Sequence, residues 1–178
     1  MKKLRLVGVM LAMLLVTALV VPTVMAQGNS GNARGNSPTI TDIVVASSEA
    51  DQPEFTILRA ALETAGLVEF FDGNRQFTVF APTDQAFLDL LDALNLTPAE
   101  LLASPDLATI LTYHVTTGNR NSNSVLGARQ IRMFSGEFAQ IDAGAGTIAG
   151  SPIIATDIDA RNGTIHVVSS VLIPPSLR

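Results

Sequence analysis

The chain has 178 residues, no cysteine and a formal net charge of −5 at pH 7. Without cysteine there is no disulfide, no thiolate metal site, no cysteine nucleophile and no thiol to lipidate. The acidic balance argues against nucleic acid, heparin-like polyanions and anionic membrane surfaces as partners, because no cluster of Lys or Arg offsets it locally.

Lys2, Lys3 and Arg5 form a basic head, and Leu6 to Val21 is an apolar run without a charge. Pro22 breaks that run, and Val24-Met25-Ala26 supplies small or apolar residues at the −3 and −1 positions of a cleavage site. Residues 1–26 therefore read as a secretory signal peptide. An uncleaved anchor is the competing reading, since the run approaches the length of a membrane span. The Pro and the Ala-ending site favour cleavage. Taking 26 residues from 178 leaves 152, the size of one domain with one core. Its basic residues are all Arg, and its net charge falls to about −8. No hydrophobic tail precedes Arg178, so the cleaved chain is expected to be soluble, released and without a stable membrane anchor.

Residues 27–38 (QGNSGNARGNSP) contain no large apolar side chain and cannot offset their ordering entropy by burial. They are expected to form a flexible linker before a single domain at 39–178. Thr41 can cap a short helix through Ser48. From Glu54 to Ala65, Phe55, Leu58, Leu62 and Ala65 fall on one stripe, with Arg59 and Glu63 paired at i,i+4 on the other side. Gly66 supplies a stop. The run 77–81 is apolar and β-branched or aromatic, and reads as a buried strand. Thr83 caps the next helix, Asp84 to Leu94, which should turn Phe87, Leu88, Leu91 and Leu94 inward. Thr97-Pro98 and Ser104-Pro105 each place a cap before a Pro, opening helices over 98–103 and 105–112. Short apolar runs punctuated by glycine then follow from Ile131 to Ile154. Residues 153–160 and 164–173 should form a hairpin about Asn162-Gly163. On its second strand Ile165, Val167, Val171 and Ile173 share one face, and His166, Val168, Ser170 and Leu172 the other. Helices first and strands after, without alternation, indicate an α+β fold.

Three blocks carry a resemblance. Phe77 to Phe87 (FTVFAPTDQAF) resembles the first block of the fasciclin domain family, Leu111 to Val115 (LTYHV) its Tyr-His block, and Asn162 to Pro174 its closing block. They stand in the family's order and span essentially all of 39–178. The resemblance implies a helical cap around a wedge-like antiparallel β-sandwich. It also implies a secreted, non-catalytic module, acting in cell–cell or cell–matrix adhesion, as in periostin-type and insect fasciclin proteins and secreted bacterial relatives. Its partner would be an extracellular protein, a matrix component or a cell-surface glycan, and no cofactor is implied. Ser169 stands where the closing block usually has Asp, so contacts that depend on that acid are absent. The integrin-binding tetrapeptides of animal members have no counterpart here.

The candidate residues each have two readings. Thr83 and Asp84 either cap the helix and complement its dipole, or present a carboxylate to a bridging cation. Through the resemblance, Tyr113 and His114 are the expected partner contact. By chemistry alone, both have apolar bodies and polar tips suited to core packing at a helix end. His114 and His166 could pair at a metal only with an assumed carboxylate, so packing of His166 is the simpler account and no metal is expected. Asn162 and Gly163 are structural turn residues. Asn162 and Asn95 also fit the glycosylation pattern, and both are read as unmodified turn and cap positions. Asp157 and Asp159 share a strand face and are expected to be solvated. Catalysis lacks its motifs: no G-x-S-x-G elbow is present, and Gly144, Gly146 and Gly150 precede no helix that could bind phosphate. The alternative function is a small-ligand binder with a pocket between helical cap and sheet. Intact-mass measurement of the secreted protein is expected to show a chain beginning at Gln27, whereas a mass that still includes Met1 would show an uncleaved leader.

Overall fold

The computed structural model describes residues 37–51, 53–71, 73 and 75–177. The expected signal peptide and most of the linker lie outside the described residues. Among those described, no helix is long and apolar enough to cross a membrane.

Helix α1 (Ile40–Ser48) starts at Thr39, two residues before the expected cap. Asp42 decides this: its carboxylate accepts from the Thr39 amide while Thr39 Oγ1 accepts from the Asp42 amide, a reciprocal box unavailable to Thr41. Helix α2 (Thr56–Thr64) buries Leu58, Ala61 and Leu62, and it ends before Gly66 at φ 66°. A short α3 (Val68–Phe71) follows, then strand β1 (Phe77–Pro82), every residue of which is buried. Helix α4 (Asp84–Leu94) is capped by Thr83, whose Oγ1 accepts from the Ala86 amide at 3.2 Å. It buries Ala86, Phe87 and Leu91, but Leu88 and Leu94 are 47% and 52% exposed rather than inward. The helix is apolar around more of its circumference than one core-facing stripe requires. Helix α5 (Pro98–Leu102) carries a second reciprocal cap, Thr97 with Glu100. Helix α6 (Leu107–Tyr113) begins two residues after Pro105, because Pro105 and Asp106 form a turn first, closed by the Leu107 amide on the Ser104 carbonyl.

Strand β2 (Val115–Thr117) and helix α7 (Ser122–Leu126) are short elements without periodicity long enough to read from sequence. The remaining strands are β3 (Gln130–Arg132), β4 (Phe138–Asp142), β5 (Thr147–Ile148), β6 (Ser151–Ala160) and β7 (Gly163–Val168). They form one seven-stranded sheet in the order β2-β1-β7-β6-β5-β4-β3. Its pairs are antiparallel except β1 and β7, which run parallel in the register Phe77 to Gly163 through Pro82 to Val168. The early strand thus pairs with the last one, as its isolation among helices required.

Burial of β1 and β7 on both faces divides the interior in two. Phe77, Val79, Ala81, Ile165 and Val167 pack with the helices. Phe80 and Val168 pack instead with Tyr113, Val125, Ile131, Ala139 and Ile148. Alternation along the last strand was read correctly, although pairing stops at Val168 rather than at 173. Val171 and Leu172 still enter opposite clusters.

The hairpin lies where expected, but its turn is one residue earlier. Ala160 pairs with Gly163, leaving Arg161 and Asn162 as the loop. Asn162 has no left-handed backbone, and its side chain is buried. Oδ1 accepts from the Ile40 amide at 2.9 Å, Nδ2 donates to the Phe71 carbonyl, and the Asn162 carbonyl accepts from the Phe77 amide at 3.0 Å. That burial leaves no space for a glycan. Gly163 is fixed by close approach: a Cβ there would overlap the backbone of Phe77. Gly66, also at positive φ, has nothing within 4 Å of such a Cβ. In urea titrations Gly66→Ala is therefore expected to cost about 1–2 kcal/mol from backbone strain alone. Gly163→Ala should cost more than about 3 kcal/mol, and equal costs would contradict the contact.

Candidate functional site

The Tyr113-His114 corner joins α6 to β2, and both side chains turn inward. Tyr113 is 1% and His114 2% exposed. The tyrosine hydroxyl donates to the Phe138 carbonyl at 3.2 Å. His114 Nδ1–H donates to the Ile110 carbonyl at 2.7 Å, and Nε2 accepts from the Leu172 amide at 2.8 Å. These two bonds define the neutral tautomer with the proton on Nδ1. The His114 carbonyl also accepts from the Phe80 amide at 2.8 Å. Direct partner contact through these side chains is therefore corrected by their burial: in the folded domain neither ring reaches the surface. They lock the end of α6 to β1, β4 and the segment after β7.

His166 is equally buried and stacks on Phe80 with ring centroids 5.5 Å apart. Its Nε2 lies 2.9 Å from the Arg120 carbonyl, and Nδ1 accepts from the Asp157 amide at 3.3 Å. With both nitrogens of both rings engaged, neither histidine offers a lone pair to a metal ion. The Asp157 bond depends on a bulge, since Asp157 sits at φ 60° and the β6–β7 register shifts around it. Its carboxylate accepts from the Ser122 hydroxyl and amide at the start of α7, which holds its pKa below the ordinary aspartate value. The expected shared, merely solvated face of Asp157 and Asp159 is thus broken by the bulge.

Asp84 has a role that its own helix does not show. Its carboxylate accepts from the Thr56 amide and hydroxyl at 3.1 and 2.6 Å and from the Ile57 amide at 2.9 Å. It therefore caps α2, which has no side-chain cap of its own at Phe55. Three hydrogen bonds occupy the carboxylate that a bridging cation would need.

An apolar groove of about 240 Å³ opens on the helical side. Leu90, Leu94 and Leu96 line it from α4 and the following turn, with Ile110 of α6 below and Ile173 and Leu177 from the C-terminal segment. Asp106 stands at its edge. From residue 76 to 119 the chain holds five acidic residues and no Lys or Arg, so the helices carrying these leucines are acidic throughout. Sequence periodicity missed this face because Leu88 and Leu94 fit an inward stripe as well as an outward one. The one available signal was an apolar arc on α4 too wide for a single core.

A fasciclin domain model matches residues 53–174. The chain belongs to the fasciclin domain family. This fasciclin domain is 34% identical over 137 residues to the uncharacterized protein sll1735 of Synechocystis sp., covering 76% of this chain and 98% of that one. It is 32% identical over 141 residues to the immunogenic protein MPB70 of Mycobacterium bovis, covering 74% and 69% of the two chains. Against transforming growth factor-beta-induced protein ig-h3 of Sus scrofa the identity is 32% over 126 residues, 68% of this chain but 18% of the relative. Among solved structures, the FAS1 domain pair from the insect cell adhesion molecule fasciclin I superposes with a TM-score of 0.60 at 17% identity, over 78% of this chain and 52% of that one. That likeness shows the fold. The expected α+β architecture, a helical cap on a β wedge, is the fasciclin one, with the parallel β1–β7 pair at its centre.

Burial lowers the pKa of His114 from an ordinary 6.5 to about 4. The unfolded chain thus takes up this proton more readily than the native one. The associated stability is complete above pH 6.5 and is lost as the pH falls toward 4, by up to on the order of 3 kcal/mol. Urea midpoints should drop between pH 7 and pH 4.5 in the native sequence and drop less in His114→Gln. An equal drop in both would show that this group is not responsible.

Proposed function

We propose that this fasciclin domain is an exported, non-catalytic adhesion module that engages an extracellular protein, matrix component or cell-surface glycan through its leucine face. One observation carries the reading: Leu88, Leu94, Leu96 and Leu177 are all more than a third exposed, and three of them share one groove. A clustered apolar surface on a soluble domain marks an interaction site more often than chance exposure does. Family membership supports the coarser statement, since fasciclin domains occur in adhesion-related proteins.

The small-ligand alternative needs a chamber between helices and sheet. The space found there, among Ile40, Leu58, Phe71, Val79, Leu111 and His114, is about 10 Å³. That is roughly the least a single water requires, so the interior is packed rather than hollow. Tyr113 and His114 retain a part in this proposal as positioning residues, because they fix the α6 end from which Ile110 floors the groove.

The test is capture of the purified mature domain by the producer's own cell surface and culture medium. Leu94→Ser and Leu177→Ser, at exposed positions, should change stability by no more than about 0.5 kcal/mol. Each should reduce capture by about tenfold, the loss of one well-placed apolar contact. Tyr113→Ala should instead lower the melting temperature. Undiminished capture by both leucine variants would remove the groove from consideration.

A further inference from the structure

A second concave surface lies between β2 and the connection from β3 to β4. This cleft, of about 280 Å³, is lined by Thr116, Thr117, Arg120, Arg132, Phe134 and Gly136, among others. Its volume falls near the lower end of ligand-sized sites. It shares no lining residue with the leucine groove.

Its charge runs against the rest of the molecule. The domain carries more than twice as many acids as arginines, yet no carboxylate lines this cleft and two guanidinium groups do. Elsewhere an arginine beside acids is paired at once: Arg59 bridges Glu49 at 2.7 Å and Glu63 at 2.9 Å. Neither Arg120 nor Arg132 has an ion-pair partner among the described residues. Glu137, the acid nearest Arg132 in sequence, instead accepts from the Ser176 hydroxyl at 2.8 Å and amide at 3.2 Å. The Arg120 Nε–H is buried without any acceptor. Leaving that donor unpaired is costly, and the side chain is only half-buried, so the rest of its guanidinium faces the cleft.

The cleft is also held in place. Arg120 is anchored on both sides, its amide donating to Thr78 Oγ1 at 2.9 Å and its carbonyl bonded by His166. Phe134 is 40% exposed, but its amide donates to the Val115 carbonyl at 2.7 Å and its ring lies 5.0 Å from Phe70. A fixed aromatic face, two arginines without counter-ions and the exposed Thr117 hydroxyl together suit a ring with one apolar face, one anionic group and several hydroxyls. We propose that this cleft binds a single acidic sugar residue, its carboxylate or sulfate on Arg120 and Arg132 and its C–H face on Phe134. The net negative charge of the domain excludes long polyanions and leaves room for one such residue within or at the end of a less charged glycan. The inference stands independently of the leucine face.

The test is titration of the folded domain followed by backbone amide chemical shifts, with glucuronic acid, glucose 6-sulfate, glucose and sodium sulfate as separate probes. Both acidic sugars are expected to shift Thr117, Phe134 and Gly136 and to saturate. Glucose should bind about tenfold more weakly, as should either acidic sugar to Arg132→Gln, since each comparison removes a charge-assisted contact. Sodium sulfate alone should bind more weakly than glucose 6-sulfate, and Phe134→Ser should weaken the sugars while leaving sulfate unchanged. Glucose binding as well as glucuronic acid, sulfate alone matching the sulfated sugar, or Arg132→Gln binding like the native sequence would each overturn the proposal. Arg132 is exposed, so the test stands even where Arg120→Gln impairs folding. Retained sugar binding in Leu94→Ser would separate this site from the groove.

Discussion

The buried side chain of Asn162 is the constraint on which the rest of the molecule hangs. From one hairpin loop it binds the first turn of α1 and the end of α3, while its own carbonyl fixes the start of β1. Those four pieces are separated by up to 122 residues in sequence. An unpaired amide at this depth is costly, so the arrangement is satisfied as a whole or not at all. Gly163 completes the junction by letting β7 run against β1 without a side chain between them. The parallel pairing that follows carries the sheet through the middle of the domain and gives it two buried faces.

The polar residues of the interior follow the same logic. His114 and His166 each hold two hydrogen bonds through their ring nitrogens, joining segments that regular secondary structure leaves unbonded. Asp84 and Asp157 act across elements, Asp84 of α4 serving the beginning of α2 and Asp157 of β6 the beginning of α7. Motif residues in this fasciclin domain are thus spent on construction. The two surfaces proposed for recognition are ones that construction does not use: leucines on acidic helices, and arginines that meet no acid. The two are disjoint, which allows one small domain to hold two different surfaces together.

Much of this was legible locally. Caps such as Thr83 and Thr97, the glycine stop at 66, the alternation from Ile165 to Leu172 and the hairpin at 160–163 each depend on neighbours within a few residues. Thr41 was misread because Thr39 has a better partner in Asp42. The strand expected to reach 173 stops at Val168, where β6 no longer offers a ladder. Leu88 and Leu94 could not be placed, because the periodicity of one helix does not say how many neighbours surround it.

Short-range pattern was therefore enough to settle the α+β class and the longer elements, since propensity, capping and alternation are local forces, and the family was carried by the resemblance of three sequence blocks. Only packing decided which side chains stay at the surface. Tyr113 and His114 became internal ties because residues 25 and 58 positions later supply their partners. Arg120 and Arg132 line one cleft because the end of β3 and the segment after it bond to β2. Thr116 Oγ1 donates to the Arg132 carbonyl and the Phe134 amide to the Val115 carbonyl, and no acid joins them in its lining. Burial and charge pairing are properties of what the folded chain places side by side, and no stretch of sequence contains its own neighbours.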